Sequence, residues 1–155
     1  MSEENKIKAL KFLQEHERAV ISTISDGGEL ESAFVFYFAD DAFNLYFMTK
    51  RQTRKCTNVQ ANGKISFVVV DEPNMRTLQG TGEASEVVDS ESNQEIFSKL
   101  IRVIARNVKD WPPPISKLGE SDAVFIRIKP HWLRMADFSN TGDPTDNENC
   151  FEQII

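Results

Sequence analysis

Apolar residues recur along this chain in two alternating periods, one helical and one extended. Residues 2–17 carry Ile7, Leu10, Phe12 and Leu13 at helical spacing behind Ser2, a helix-capping residue. Residues 18–25, RAVISTIS, are β-branched and end at Asp26-Gly27-Gly28, a hairpin signal. The return strand covers residues 29–39. Asp40-Asp41 makes the next turn, and a third strand covers residues 43–49. A short helix of roughly two turns follows Thr53 and stops at Asn62-Gly63. Residues 64–71 and 75–88 read as two more strands. A second long helix starts at Asp89 or Ser90 and runs to about Ala105, with Ile96, Leu100, Ile101 and Ile104 on one face. Trp111-Pro112-Pro113-Pro114 makes a stiff extended loop. The last long strand covers residues 122–138, with Pro130 marking a bulge or an edge. The tail, 139–149, is polar and turn-rich, while Phe151, Ile154 and Ile155 are apolar enough to dock. About six strands in hairpin order predict a mainly β fold, an antiparallel barrel with peripheral helices rather than a parallel α/β sheet.

Two strands break the usual one-sided pattern. Residues 33–38, AFVFYF, and 65–70, ISFVVV, are apolar on nearly every position. One face of each can fill a barrel. The other face needs a helix, a ligand or a partner subunit, and a homodimer is the expectation. Gly80 and Gly82, inside the fifth strand, imply a bend, a bulge, or close approach of a ligand or another backbone.

A length of 155 residues suits one domain, 1–155, with a real core, and 11 phenylalanines make aromatic packing prominent. The net charge of −6 argues against a general affinity for nucleic acid. Cys56 and Cys150 are too few for a disulfide framework or a cysteine zinc site, and they point to a reducing compartment. The opening MSEENKIKALKF has no apolar signal core, and no run approaches a membrane span, so the expectation is a cytoplasmic protein with no membrane partner. His16 and His131 are the only histidines, too little for a metal site or a histidine-based triad. His16 reads as a surface residue favoured by the C-terminal end of its helix.

One cluster changes the picture. Lys50, Arg51, Arg54 and Lys55 fall together in FMTKRQTRKC, and Thr53 is the natural N-cap of the helix that follows. Arg54 and Lys55 then sit in the first helical turn. The partial positive charge of a helix N-terminus disfavours cations there by roughly 0.3–1 kcal/mol each. A bound anion removes the conflict, because exposed N–H groups and two cations form a phosphate or carboxylate site. The alternative is a solvated basic turn.

The segments LYFMTKRQTRKCTNVQANGKISFVVVD and RTLQGTGEASEV, preceded by a hairpin with an apolar second strand, resemble the pyridoxamine 5'-phosphate oxidase-like FMN-binding split-barrel family. The resemblance covers roughly residues 12–88, with weaker similarity in PHWLRMADF near the end. It implies a six-stranded split barrel, a homodimer and two FMN molecules at the subunit interface. By motif, Met48 and Thr49 would lie along the flavin, and Arg54 and Lys55 would hold its phosphate. Phe34, Val35 and Phe36 would approach the isoalloxazine ring. Thr77 falls where the true oxidases carry a glutamine near the flavin, and Trp132 would cover the flavin or meet the partner subunit. The oxidases' C-terminal tryptophan and arginine substrate motif has no counterpart here. The closer likeness is therefore to general stress proteins and flavin reductases.

The resemblance implies an FMN-dependent oxidoreductase of unknown substrate, drawing electrons from a nicotinamide, NADH or NADPH, or from a small redox partner. The other readings are a flavin-binding protein without turnover, as sensor, carrier or stress protein, and a haem- or anion-binding module on the same barrel.

Overall fold

The structure, a computed structural model, describes residues 2–108, 122–139 and 150–155. The Trp111 to Pro114 loop and the tail from residue 140 to 149 lie outside the described residues.

Helix α1 (Glu3–Glu15) begins where the Ser2 hydroxyl accepts the Asn5 N–H, and Glu3 and Glu4 occupy its positively polarised first turn. It buries Ala9, Phe12 and Leu13 against the barrel. Ile7, expected on that stripe, is instead 61% exposed. Two residues before Ala9, it lies roughly 160° around the helix from the packed face. His16 also departs from its expected surface position. It is half-buried, stacked on Phe12 at 4.1 Å, with Nδ1 2.7 Å from the Phe12 carbonyl and Nε2 3.5 Å from Asp71.

Six strands form the barrel: β1 (Arg18–Ile24), β2 (Leu30–Ala39), β3 (Leu45–Lys50), β4 (Lys64–Asp71), β5 (Arg76–Glu86) and β6 (Ala123–Asp137). Their order is β3-β2-β1-β4-β5-β6, every pairing is antiparallel, and β3 pairs with β6 to close the ring. Helix α2 (Arg54–Ala61) follows β3, and α3 (Ser90–Asn107) follows β5. The expected antiparallel barrel with three peripheral helices is the observed fold. The third strand starts later than its apolar residues suggest. The Asp40 carboxylate accepts the N–H groups of Ala42 and Asn44, both at 2.9 Å, and the turn then passes through Phe43 at φ 66°. A short strand that the sequence reading leaves out, β7 (Phe151–Gln153), pairs with Arg134 to Ala136, and Ile154 beyond it is fully buried.

The interior is filled by alternate residues of each strand, including Ile21, Tyr37, Phe47, Leu78, Ile126 and Leu133. The Tyr37 hydroxyl donates to the Leu13 carbonyl at 2.9 Å, which satisfies the polar tip of a buried ring and ties α1 to β2. Gly80 leaves room for the side chains of Phe67 and Leu133. At Gly82 the register of β5 on β6 shifts: Thr81 faces Trp132 and Gly82 faces Pro130, so His131 is the extra residue of a bulge.

The doubly apolar strands are covered unevenly. Helix α3 brings Ile96 and Leu100 onto Phe125, Phe38, Tyr46 and Met48, and Lys99 lies 5.2 Å over the Phe38 ring. That helix covers one end of the β2 outer face. At the other end Phe34 is 57% exposed, and Val70 on β4 is 54% exposed.

Two measurements check this packing. A Cβ at Gly82 would sit 2.3 Å from the Lys129 carbonyl oxygen and 2.7 Å from the Pro130 Cα, both backbone atoms. Gly82→Ala should therefore cost about 1–3 kcal/mol, read as a lower urea midpoint. The second concerns acid. Hydrogen bonds from Arg76 and then Asn74 hold the Asp71 carboxyl below the usual carboxylate range. A depressed native pKa gives stability that is complete above the unfolded value, about 4, and is lost as pH falls through the native one. Denaturation curves of wild type and Asp71→Asn should differ at neutral pH and converge in acid.

Candidate functional site

Strands β2 and β3 lie side by side, with Tyr37 opposite Phe47 and Phe38 opposite Tyr46. Continuing that alternation turns Phe34, Phe36, Met48 and Lys50 to the outer face of the barrel. The chain leaves β3 at Lys50 in a tight turn that Thr53 closes. The Thr53 hydroxyl donates to the Lys50 carbonyl at 2.8 Å and accepts the Cys56 N–H at 3.4 Å, which starts α2. Its single proton is thereby used, so the Thr49 hydroxyl, 2.8 Å away, is the donor in the pair they form. The result is an open groove of about 370 Å³ lined by Phe34, Val35, Phe36, Met48, Thr49, Lys50, Thr53 and Lys55. It is apolar along β2 and β3 and carries cations and hydroxyls at the helix end.

The four cations do not share one role. Arg51 pairs with Glu86 at 2.8 Å, and hydrogen bonding from Arg51 holds the Glu86 carboxyl below the usual range. Arg54 turns away from the groove lining, and its Nη1 donates to Glu31 at 2.8 Å. The second Glu31 oxygen accepts from Asn58 Nδ2 at 2.8 Å, and that amide also reaches the buried Thr23 hydroxyl at 3.0 Å. Glu31 therefore joins β2, α2 and the arginine into one polar network. Among the described residues, Lys50 and Lys55 pair with no carboxylate. They are the charges left for the groove. The Cys56 thiol on the same helix is buried, and that burial pushes its pKa up.

Six of the residues singled out from the sequence thus come together: Phe34, Val35, Phe36, Met48, Thr49 and Lys55. Arg54, paired with Glu31, does not line the groove. Thr77 and Trp132 do not reach this groove within one chain. Thr77, on β5, pairs with Val70 and Ala136, and Trp132 lies on β6 beyond the stretch, 123–128, that pairs with β3. Trp132 does not face the barrel interior: the Arg134 guanidinium lies 5.6 Å over its ring and 4.6 Å over that of Phe151. Phe34, Phe36, Met48, Thr77 and Trp132 lie on the outer surface of the barrel, where Val20, Leu30 and Val70 are also exposed, while Val35 belongs to the core. Sequence reasoning missed Lys50 and Thr53 as lining residues, although both flank the motif. It missed Glu31 altogether, because a carboxylate in a strand pattern gives no sign of a partner 23 residues away.

A closed antiparallel barrel with this groove at the β3–α2 junction defines a split-barrel protein. The family model of pyridoxamine 5'-phosphate oxidase matches residues 6–137, and the chain belongs to that family. No curated protein matches it. Among solved structures it is similar to General Stress Protein 26 of Bacillus anthracis, at 24% identity and a TM-score of 0.63, covering 84% of this chain and 92% of that one. It is similar to a FAD-binding protein of Mesorhizobium loti, at 18% identity and a TM-score of 0.64, covering 87% and 94%. It is also similar to HutZ, the haem storage protein of Vibrio cholerae, at 20% identity and a TM-score of 0.65, covering 86% and 94%. At these identities the likeness is one of fold. Among the described residues no helix is long and apolar enough to cross a membrane.

Proposed function

We propose that this protein is an FMN-dependent oxidoreductase that works as a cytoplasmic homodimer and takes electrons from NADH or NADPH. The observation that carries the reading is the groove itself, apolar along its length and cationic where α2 begins. Phe34, Phe36 and Met48 suit a flat aromatic ring system. Lys55, with the first-turn N–H groups of α2, suits a phosphate. The Thr49 and Thr53 hydroxyls stand between the two halves. Arg54, held by Glu31, contributes less. When bound, FMN supplies hydride or electron transfer, while the chain binds it, orients it and keeps water from one face.

The exposed apolar face supports the dimer. Val20, Leu30, Phe34 and Val70 form a surface that water disfavours, and a two-fold pairing through it is self-complementary. Such a pairing would bring Thr77 and Trp132 of one subunit toward the groove of the other, which explains why one chain leaves them apart. The similar structures include both a FAD-binding and a haem storage protein, so the ligand is the point to test.

An absorption spectrum of the purified protein, before and after NADH or NADPH, decides the reading. A yellow flavin spectrum that bleaches on reduction is the expected result. Yellow colour that resists both reductants would make the protein a flavin binder without turnover, and a Soret band in its place would make it a haem binder. Sedimentation should give a dimer at micromolar concentration.

The phosphate assignment has its own measurement. A hydrogen bond to a charged group contributes roughly 1.5–3 kcal/mol, and about 1.4 kcal/mol is tenfold in affinity. Lys55→Ala should weaken FMN binding roughly ten- to a hundredfold and leave riboflavin, which lacks the phosphate, nearly unchanged. Arg54→Ala should cost less than about tenfold, because exposed ion pairs contribute little. Unchanged FMN affinity in Lys55→Ala would place the phosphate elsewhere, and equal loss of FMN and riboflavin would mean that the substitution disturbs the fold.

A further inference from the structure

The two lysines of the groove enter it from different elements. Lys55 comes from the first turn of α2. Lys50 is the last residue of β3, opposite Ala123 in the β3–β6 ladder. Its carbonyl accepts both the N–H and the hydroxyl of Thr53, at 3.1 and 2.8 Å. The Lys50 backbone is therefore fixed, while its side chain is exposed. Extending the β2–β3 register past Tyr37 and Phe47 sets Met48 level with Phe36 and Lys50 level with Phe34. Lys50 thus borders the aromatic half of the groove, where Phe34 and Phe36 meet edge to face with centroids 5.2 Å apart.

The charges of this groove do not balance. Its lining holds two cations and no carboxylate. Glu86 and Glu31, the carboxylates bound at the junction, are taken by Arg51 and Arg54. A phosphate placed at the start of α2 answers Lys55 and leaves Lys50 over. In the empty groove water solvates that ammonium. A flat ring lying on Phe34 and Phe36 would displace part of the water, and attraction between charges strengthens as the local dielectric falls. An oxidised flavin ring is neutral. A hydride brings it two electrons and one proton, so the ring becomes singly negative unless a second proton follows. A fixed cation beside the ring then favours the reduced form over the oxidised one.

We propose that Lys50 raises the reduction potential of the bound flavin by attracting the negative charge that the ring gains on two-electron reduction. The donor's C–H bond breaks, its hydrogen and electron pair pass to the ring, and the oxidised nicotinamide leaves with the positive charge. Lys50 takes no proton in this step and forms no bond. The proposal deepens the flavin reading above and rests on it. That reading assigns Lys55 to the phosphate and gives Lys50 no role.

The test is the midpoint potential of the flavin bound to the full chain, read by equilibration against a redox dye. Lys50→Met keeps the length of the side chain and removes its charge. It should shift the balance about tenfold toward the oxidised form, a fall of about 30 mV for a two-electron couple. Lys50→Gln, a second neutral variant, should fall with it, and Lys50→Arg should restore the wild-type value. Riboflavin in place of FMN should show the same fall, because the effect belongs to the ring and not to the phosphate. Lys55→Met should weaken FMN binding and move the potential far less. A merely structural Lys50 would change the affinity of both forms alike and leave the potential where it was. An unmoved potential in Lys50→Met, or no recovery in Lys50→Arg, would overturn the proposal. So would a Lys50→Met protein that loses FMN and keeps riboflavin, since Lys50 would then be a phosphate ligand. A wild type that takes up no flavin would remove the flavin reading and this proposal with it, whereas a flavin-loaded wild type with the same potential as Lys50→Met would remove the proposal alone.

Discussion

The ladder between β3 and β6 is the contact on which the rest depends. It pairs Leu45 to Lys50 with Ala123 to Ile128 and turns an open sheet into a ring. Closure removes two sheet edges and encloses Phe47 and Ile126 in the interior. It also positions the chemistry. The Arg51 N–H donates to the Asp122 carbonyl just past the ladder, so the chain leaves β3 at a fixed point and angle. Thr53 then closes its turn, and the N-terminus of α2 meets the outer face of β2. An anion site at a helix start is useful only if the helix cannot drift, and the ladder supplies that restraint.

Charge placement at this junction is selective. Carboxylates from strands β2 and β5 neutralise the arginines, Glu31 taking Arg54 and Glu86 taking Arg51. Arginine suits this, because its planar fork meets a carboxylate with directional bonds, whereas lysine is a mobile point charge. The two lysines stay with the groove. A basic run that reads as four equivalent charges thus becomes two structural ones and two available ones. The Asn58 amide, bridging Glu31 and Thr23, makes the structural half rigid.

The apolar outer face divides in a similar way. Helix α3 shields Phe38 and Tyr46, which stack at 5.0 Å, and leaves Phe34, Val20 and Val70 to water in the single chain. Burying each such side chain is favourable by roughly 1.5–3 kcal/mol, so a surface of this kind is a standing drive toward association or ligand binding. Met48 lies at the border between the covered and uncovered halves. It touches the α3 cluster on one side and the groove on the other, a role that a flexible, polarizable side chain fills well.

Much of the fold was legible in local pattern. The β-branched runs RAVISTIS and KISFVVVD, the Asp26-Gly27-Gly28 turn, and Thr53 ahead of Arg54 and Lys55 each specify a conformation through residues that are neighbours in the chain. Local sterics and capping bonds act at that range, so the sequence alone determines the strands, the hairpins and the start of α2. It also carries the two-sided apolar strands that demand a cover. Other features depended on distant partners. Which face of α1 is buried was settled by Ala9, Phe12 and Leu13 meeting the barrel, and Ile7 was left outside. Phe43 lost its strand position to the Asp40 carboxylate, and the C-terminal residues gained one by pairing with β6. The division of Arg54 from Lys55 exists only once β2 and α2 are packed together. Chain order and local conformation come from short-range forces that a sequence displays. The choice of partner for each charge and each buried oxygen comes from long-range contacts that only the closed barrel creates.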